Sequence, residues 1–175
     1  MTHPLNVGSA IPLVVLRCVQ FLEKPDVVKT DGIFRLSASV EDVYLLKHQW
    51  DTGHDVPFVG DFCHEATNLL KLYIRELPEP LCTKDLLPAW NSVFNSPSPE
   101  DQLKDTIAKL PATNRSILRS ITGMLKKVSE CSEHNRMNAE NLARVWAPNI
   151  FGDGDLKVGF MLMAVLITNS EKYFN

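Results

Sequence analysis

The sequence is short of the features that mark extracellular, metal-binding or membrane-spanning proteins. Only four cysteines occur among its 175 residues, Cys18, Cys63, Cys82 and Cys131. They stand singly, with no C-x-x-C pair and no close histidine pair, so neither a zinc site nor a thioredoxin-like motif has its spacing. Met1 to Ala10 lacks the basic stretch and apolar run of a secretory leader, so free thiols in a reducing, cytoplasmic setting are expected. The longest apolar stretch, Val158 to Ile167, is far below the ~20 residues that cross a bilayer, and reads as a buried helix.

Positive charge is also scarce overall. Eighteen Lys and Arg face 21 Asp and Glu, for a net charge of -3 and a pI near 5.9. No global basic field draws in nucleic acid or a membrane, and an anionic partner must be met by a local patch. The sequence has no G-x-x-x-x-G-K-[ST] phosphate loop, no G-x-S-x-G elbow and no H-E-x-x-H zinc motif. His3, His48, His54, His64 and His134 are dispersed. Cys63 and His64 are neighbours, but adjacent helical residues point about 100° apart, so they gain nothing as a nucleophile and base. No metal site is expected.

What is present is helix. An apolar content of 45% over 175 residues supports one core, and residues 1–175 are read as a single domain. No segment alternates apolar and polar residues around a hairpin turn, so the fold class is all-α, a helical bundle of about eight or nine helices. Ile11 to Glu23, with Pro12 in its first turn, is apolar almost all round and reads as a central helix. Ser39 followed by Asp42 resembles a capping box opening a helix to about Trp50. From about Asp61 to Glu76, Ala66, Leu69, Leu70, Tyr73 and Leu77 form one apolar stripe with Lys71 and Arg75 opposite, and Pro78 ends the helix.

Further helices are expected over Thr83 to Phe94, with Pro88 able to kink it, then Ser98 to Leu110 behind a Ser98 cap, and Thr113 to Glu130. Asn138 to Ala147 and Leu156 to Tyr173 complete the set. Asp51 to Gly60 and Phe151 to Lys157 are the connections with most freedom.

One loop differs in kind. Gly32-Ile-Phe-Arg-Leu-Ser-Ala38 sets Arg35 among large apolar residues between two helices. Ile33, Phe34 and Leu36 can anchor the segment and Gly32 permits a tight bend. The guanidinium is then presented from a stiff support, as electrostatic help to phosphoryl transfer requires.

Three separated segments resemble RhoGAP domains, in order and over nearly the entire chain. The first runs from Ile11-Pro12 to Asp31-Gly-Ile-Phe-Arg-Leu-Ser37, similar to that family's arginine-finger loop. The second is Leu69-Leu-Lys-Leu-Tyr-Ile-Arg-Glu-Leu-Pro-Glu-Pro-Leu81. The third is Met137-Asn-Ala-Glu-Asn-Leu-Ala143 with Ala147-Pro-Asn149, and Ile167-Thr-Asn169 fits the last helix. Ala38 stands where a Gly is common, and Trp146-Ala147 replaces the usual Phe-Gly.

The resemblance implies a domain that binds a GTP-loaded Rho-family small GTPase (Rho, Rac or related) and accelerates hydrolysis in trans. It makes Arg35 the catalytic finger, Lys71 and Arg75 the basic pair beside it, Asn141 a polar partner and Asn149 a weaker candidate. The domain is then a GTPase activator, not an enzyme with its own substrate pocket. It has no cofactor of its own, because GTP and magnesium sit on the partner. A monomeric domain within a longer multidomain chain is implied, with no nucleic-acid partner and no membrane insertion. The alternative is a non-catalytic GTPase-binding or scaffold module of the same fold.

Overall fold

The computed structural model describes residues 11–152 and 154–174, and among them ten α-helices and no strand are found. The expectations about Met1 to Ala10 lie outside the described residues. In chain order the helices are α1 (Leu13–Leu22), α2 (Val40–Asp51), α3 (Cys63–Arg75), α4 (Leu87–Ser92) and α5 (Pro99–Ala108). They continue with α6 (Ala112–Glu130), α7 (Ser132–Asn135), α8 (Ala139–Phe151), α9 (Leu156–Thr168) and α10 (Ser170–Tyr173). Single 3-10 turns at Val27–Lys29 and Val93–Asn95 follow α1 and α4.

One core joins them. Helix α1 packs against α3 and α6, α3 against α2 and α8, and α8 lies along α9. Val15, Cys18, Leu22, Leu70, Leu118, Ile121, Leu142, Trp146 and Leu166 are fully enclosed between them. Helix α3 is buried more broadly than its stripe predicts: Leu72 and Ile74 are enclosed as well as Leu69, Leu70 and Tyr73, because neighbours cover it on three sides.

Four local readings need correction. The segment from Thr83 becomes helical only at Leu87, which places Pro88 in the first turn, where its missing N–H is harmless, instead of at a kink. Ser98 occupies the N-cap position of α5 but its hydroxyl makes no capping bond, whereas Ser39, Asn138 and Asp155 do cap their helices. The last helix breaks at Asn169, so that Ser170 and Tyr173 turn inward on a separate α10, against α5 and α6. The connection between α2 and α3 is pinned: Arg17 donates to Asp55 at 2.6 Å, and Phe58 is buried beside Phe21 at 5.6 Å between ring centroids.

Helix α8 also outruns its predicted end at Ala147. It continues through Pro148 to Phe151. A proline in a helix interior costs about 3 kcal/mol. Enclosing Ile150 and Phe151, with Phe151 edge-on to Trp90 at 5.6 Å, returns about 1.5–3 kcal/mol for each side chain. Burial therefore wins.

The crossing of α8 and α9 is close because both sides are small. A Cβ on Gly159 would stand 3.3 Å from the Phe151 ring and 3.5 Å from the Ala147 Cβ. Gly159→Leu is expected to overpack this crossing and lower stability by about 1–3 kcal/mol, read as a drop of several degrees in the thermal midpoint. An unchanged midpoint would show that the crossing has room to spare.

Candidate functional site

The Arg35 loop leaves the 3-10 turn after α1 and is folded by its own backbone. Ile33 N–H donates to Thr30 O at 3.1 Å, and Gly32 O accepts from both Arg35 and Leu36 N–H at 2.9 Å. Gly32 has φ +67°, and a Cβ there would meet the Leu36 side chain at 2.7 Å. Any other residue would therefore be strained by its backbone and blocked by Leu36.

Phe34 is the unusual member. Its φ is +66°, the left-handed region that bulky residues avoid. The ring is buried, 1% exposed, and meets Trp146 of α8 edge-on with centroids 5.5 Å apart. Its carbonyl accepts a 3.0 Å hydrogen bond from Lys71 Nζ on α3. Asn68, one turn earlier on α3, reaches the Leu36 carbonyl more loosely at 3.5 Å.

A second tether comes from α7. Gly32 N–H donates to the Asn135 carbonyl at 2.9 Å. Asn135 is itself fully buried: its amide nitrogen donates to Val28 O (2.7 Å) and Val128 O (2.8 Å), and its amide oxygen accepts from Met137 N–H (2.7 Å). One side chain thus joins the turn after α1, the end of α6 and the start of the α8 segment beneath the loop. Sequence reading missed Asn135. No local signal marked it, because the left-handed residue that follows, Arg136 at φ +62°, is not a Gly or Asn, and Val28 and Gly32 lie more than a hundred residues earlier.

Between these tethers Arg35 is exposed and has no ion pair among the described residues. Its Nη2 lies 3.4 Å from where a Gly32 Cβ would be, so the guanidinium rests over its own loop. Lys71 is half-buried and turned toward the loop, unlike the fully outward position the helical wheel implies, while Arg75 is exposed one turn away. Burial, and then the Arg75 charge, push the Lys71 ammonium below its ordinary range. The three cations share one face, with no carboxylate paired to Arg35, Lys71 or Arg75 among the described residues.

Asn141 sits in the first turn of α8, its backbone N–H bonded to the Asn138 cap at 2.9 Å. Its amide reaches the Arg136 carbonyl at 3.4 Å, beside the Asn135 tether. Asn149 is two turns further along α8, with its amide nitrogen bonded to Val145 O at 2.8 Å in its own helix. It takes no part in the hydrogen bonds that hold the loop.

The model of the RhoGAP domain matches residues 12–155, which include the loop, both tethers and the three cations. The chain belongs to the RhoGAP domain family. It is 35% identical over 167 residues to the GTPase-activating protein CdGAPr of Drosophila melanogaster, covering 90% of this chain and 9% of the fly protein. It is 34% identical over 155 residues to Rho GTPase-activating protein 32 of Xenopus laevis, covering 85% and 8%. This RhoGAP chain therefore spans under a tenth of either relative. In fold it is similar to the crystal structure of human Rho GTPase activating protein 15, with TM-score 0.84, 22% identity, and 96% of this chain and 86% of that one covered. The BH domain of GRAF, the GTPase regulator associated with focal adhesion kinase, superposes with TM-score 0.83 at 23% identity, covering 93% of each chain.

The two helix-α3 cations are expected to separate on substitution. Lys71→Ala removes a charged donor from a half-buried carbonyl and should lower stability by about 1–2 kcal/mol, whereas Arg75→Ala should stay within about 0.5 kcal/mol. Paired thermal melts check this, and equal shifts would mean that Lys71 does not hold the loop.

Proposed function

We propose that this domain docks on a GTP-loaded Rho-type small GTPase, Rho, Rac or a related protein, and accelerates hydrolysis in trans through Arg35. The observation that carries the reading is the anchored loop: a rigid, doubly tethered backbone bearing one exposed guanidinium with no carboxylate to neutralise it. Family membership and the names of the relatives support the activating role.

In this mechanism the partner holds GTP, magnesium and the attacking water, and the domain needs no cofactor. As the bond to the γ-phosphoryl group loosens, negative charge builds on the bridging and γ-phosphate oxygens. Arg35 swings out from its loop and places a fixed cation there, stabilising that state more than the ground state. Lys71 keeps the loop backbone in place. Arg75, exposed on the same face, meets the partner. Asn141 supports the adjoining turn, and Asn149 is left a peripheral contact. A domain acting this way works as a monomer.

Arginine fingers in GTPase systems are worth roughly 10³–10⁵ in rate. Arg35→Ala is accordingly expected to remove roughly 10³-fold or more of the stimulated rate while circular dichroism stays unchanged. Binding separates catalysis from docking. A GTPase loaded with GDP and fluoroaluminate should bind this domain more tightly than one loaded with GDP. Arg35→Ala should abolish that preference yet leave binding to a GTP-analogue complex largely intact. If the substitution weakens both complexes equally, Arg35 contributes uniform binding only. If the unmodified domain shows no fluoroaluminate preference across a panel of Rho-type GTPases, the binding-only module is the correct reading.

A further inference from the structure

A cleft of about 600 Å³ opens between α5, the first half of α6 and α10, with Phe174 in its wall. Its size falls within the roughly 300–1,000 Å³ of small-molecule pockets. Four cations from three helices converge on it: Lys104 of α5, Arg115 and Arg119 of α6, and Lys172 of α10. Three carboxylates stand against them. Asp105 lines the same cleft, Glu100 pairs with Lys172 at 2.6 Å and also lies within electrostatic reach of Lys104, and Asp101 acts on Lys172. Among the described residues Lys104, Arg115 and Arg119 have no ion pair, and Arg115 makes only a 3.3 Å bond to the Ala108 carbonyl.

This concentration runs against the rest of the chain, which is acidic overall. Arg115 and Arg119 are one helical turn apart, a spacing at which like charges repel unless an anion lies between them. The first turn of α6 holds no acidic residue, and its N-cap, Pro111, makes no side-chain cap. The partial positive charge of that helix end therefore adds to the side-chain charges.

We propose that this cleft binds a ligand carrying several phosphates on a compact ring, of the polyphosphorylated inositol class, either free in solution or as a lipid headgroup. Arg115 and Arg119 grip adjacent phosphates through bidentate hydrogen bonds, as guanidinium groups favour. Lys104 closes one side, and Lys172 exchanges Glu100 for the ligand. The Phe174 ring provides an apolar wall for the carbon skeleton. The site is separate from the Arg35 loop, which is tethered beyond the opposite end of α6.

The test is binding at near-physiological salt, which screens weak nonspecific attraction. Inositol hexakisphosphate is titrated calorimetrically into the domain. In a second arm, phosphatidylcholine vesicles with or without phosphatidylinositol bisphosphate are used in a co-sedimentation assay, with phosphatidylserine vesicles as the charge control. The expected result is saturable binding of at least one phosphoinositol probe, weakened at least tenfold by Arg115→Glu with Arg119→Glu. Arg119→Gln alone, a milder change, should weaken it several-fold, and thermal melts verify that each variant is folded. Binding in the first arm alone assigns a soluble ligand, and binding in the second alone assigns a headgroup. Three results overturn the proposal: no binding in either arm, binding unchanged by the Arg115 and Arg119 variants, or binding lost only on Lys71→Glu with Arg75→Glu.

Discussion

The position of Arg35 depends on one aromatic residue, Phe34, held in a backbone conformation that aromatic residues avoid. Such a conformation costs on the order of 1–3 kcal/mol. Enclosing the Phe34 ring is worth roughly 1.5–3 kcal/mol, its edge contact with Trp146 about 0.5–1.5, and a hydrogen bond from a charged donor such as Lys71 about 1.5–3. The favourable set exceeds the strain, so the loop keeps a shape its backbone alone would not choose. The reversal of chain direction at Phe34 sends its side chain inward and the next one, Arg35, outward. Burial of one residue is what exposes the other.

Helix α8 supplies the platform for that arrangement. Trp146 supports Phe34 from beneath, and its fully enclosed indole N–H has no hydrogen-bond partner among the described residues, a loss of roughly 1–3 kcal/mol. The large ring is retained because it fills the space under the loop. At the far end of the same helix, Ile150 O accepts from Cys82 N–H at 3.1 Å. Pro80 presses against Gly152, where a Cβ would approach to 2.7 Å, and Gly152 has φ +60°. The Leu-Pro-Glu-Pro-Leu segment after α3 is thus clamped onto α8, and α3 carries Lys71. The Arg35 loop, α3 and α8 form a closed circuit of contacts, so a shift in any one is transmitted to the others.

The all-helical class and the main helices were legible because each rests on local signals: the Ser39 cap, the α3 stripe and the apolar run of α9. The exposed Arg35 beside buried Ile33 and Phe34 was legible for the same reason, since both are large and apolar in a short loop; Leu36, expected to anchor the segment with them, is instead 44% exposed, with its side chain folded back over Gly32. What was not legible depended on partners distant in sequence. The passage of α8 through Pro148 is decided by burial of Ile150 and Phe151, which local propensity cannot register. Lys71 and Arg75 were both expected beside the loop, but which of them turns inward was not legible, because a helical wheel does not contain the Phe34 carbonyl that Lys71 meets. Asn135 reads as an ordinary polar residue, yet two of its bonds reach Val28 and Gly32 of the Arg35 loop, more than a hundred residues earlier in the chain.

Charge follows a similar logic of local arrangement over total. The chain is acidic, yet Arg35, Lys71 and Arg75 gather on one face, and burial, with the Arg75 charge second, pushes the Lys71 ammonium below its usual range. A partner bearing phosphates would reverse the sign of that field and favour both cations together. The cleft of Lys104, Arg115, Arg119 and Lys172 lies beside the other end of α6. From Arg119 to the end of that helix is about 17 Å at 1.5 Å per residue, twice the ~8 Å screening length of physiological salt. Across that separation an anion in the cleft does not appreciably alter the charge felt by Arg35. A lipid headgroup in the cleft would therefore act by fixing where the domain sits and how it is turned, while the charge around Arg35 stays unchanged.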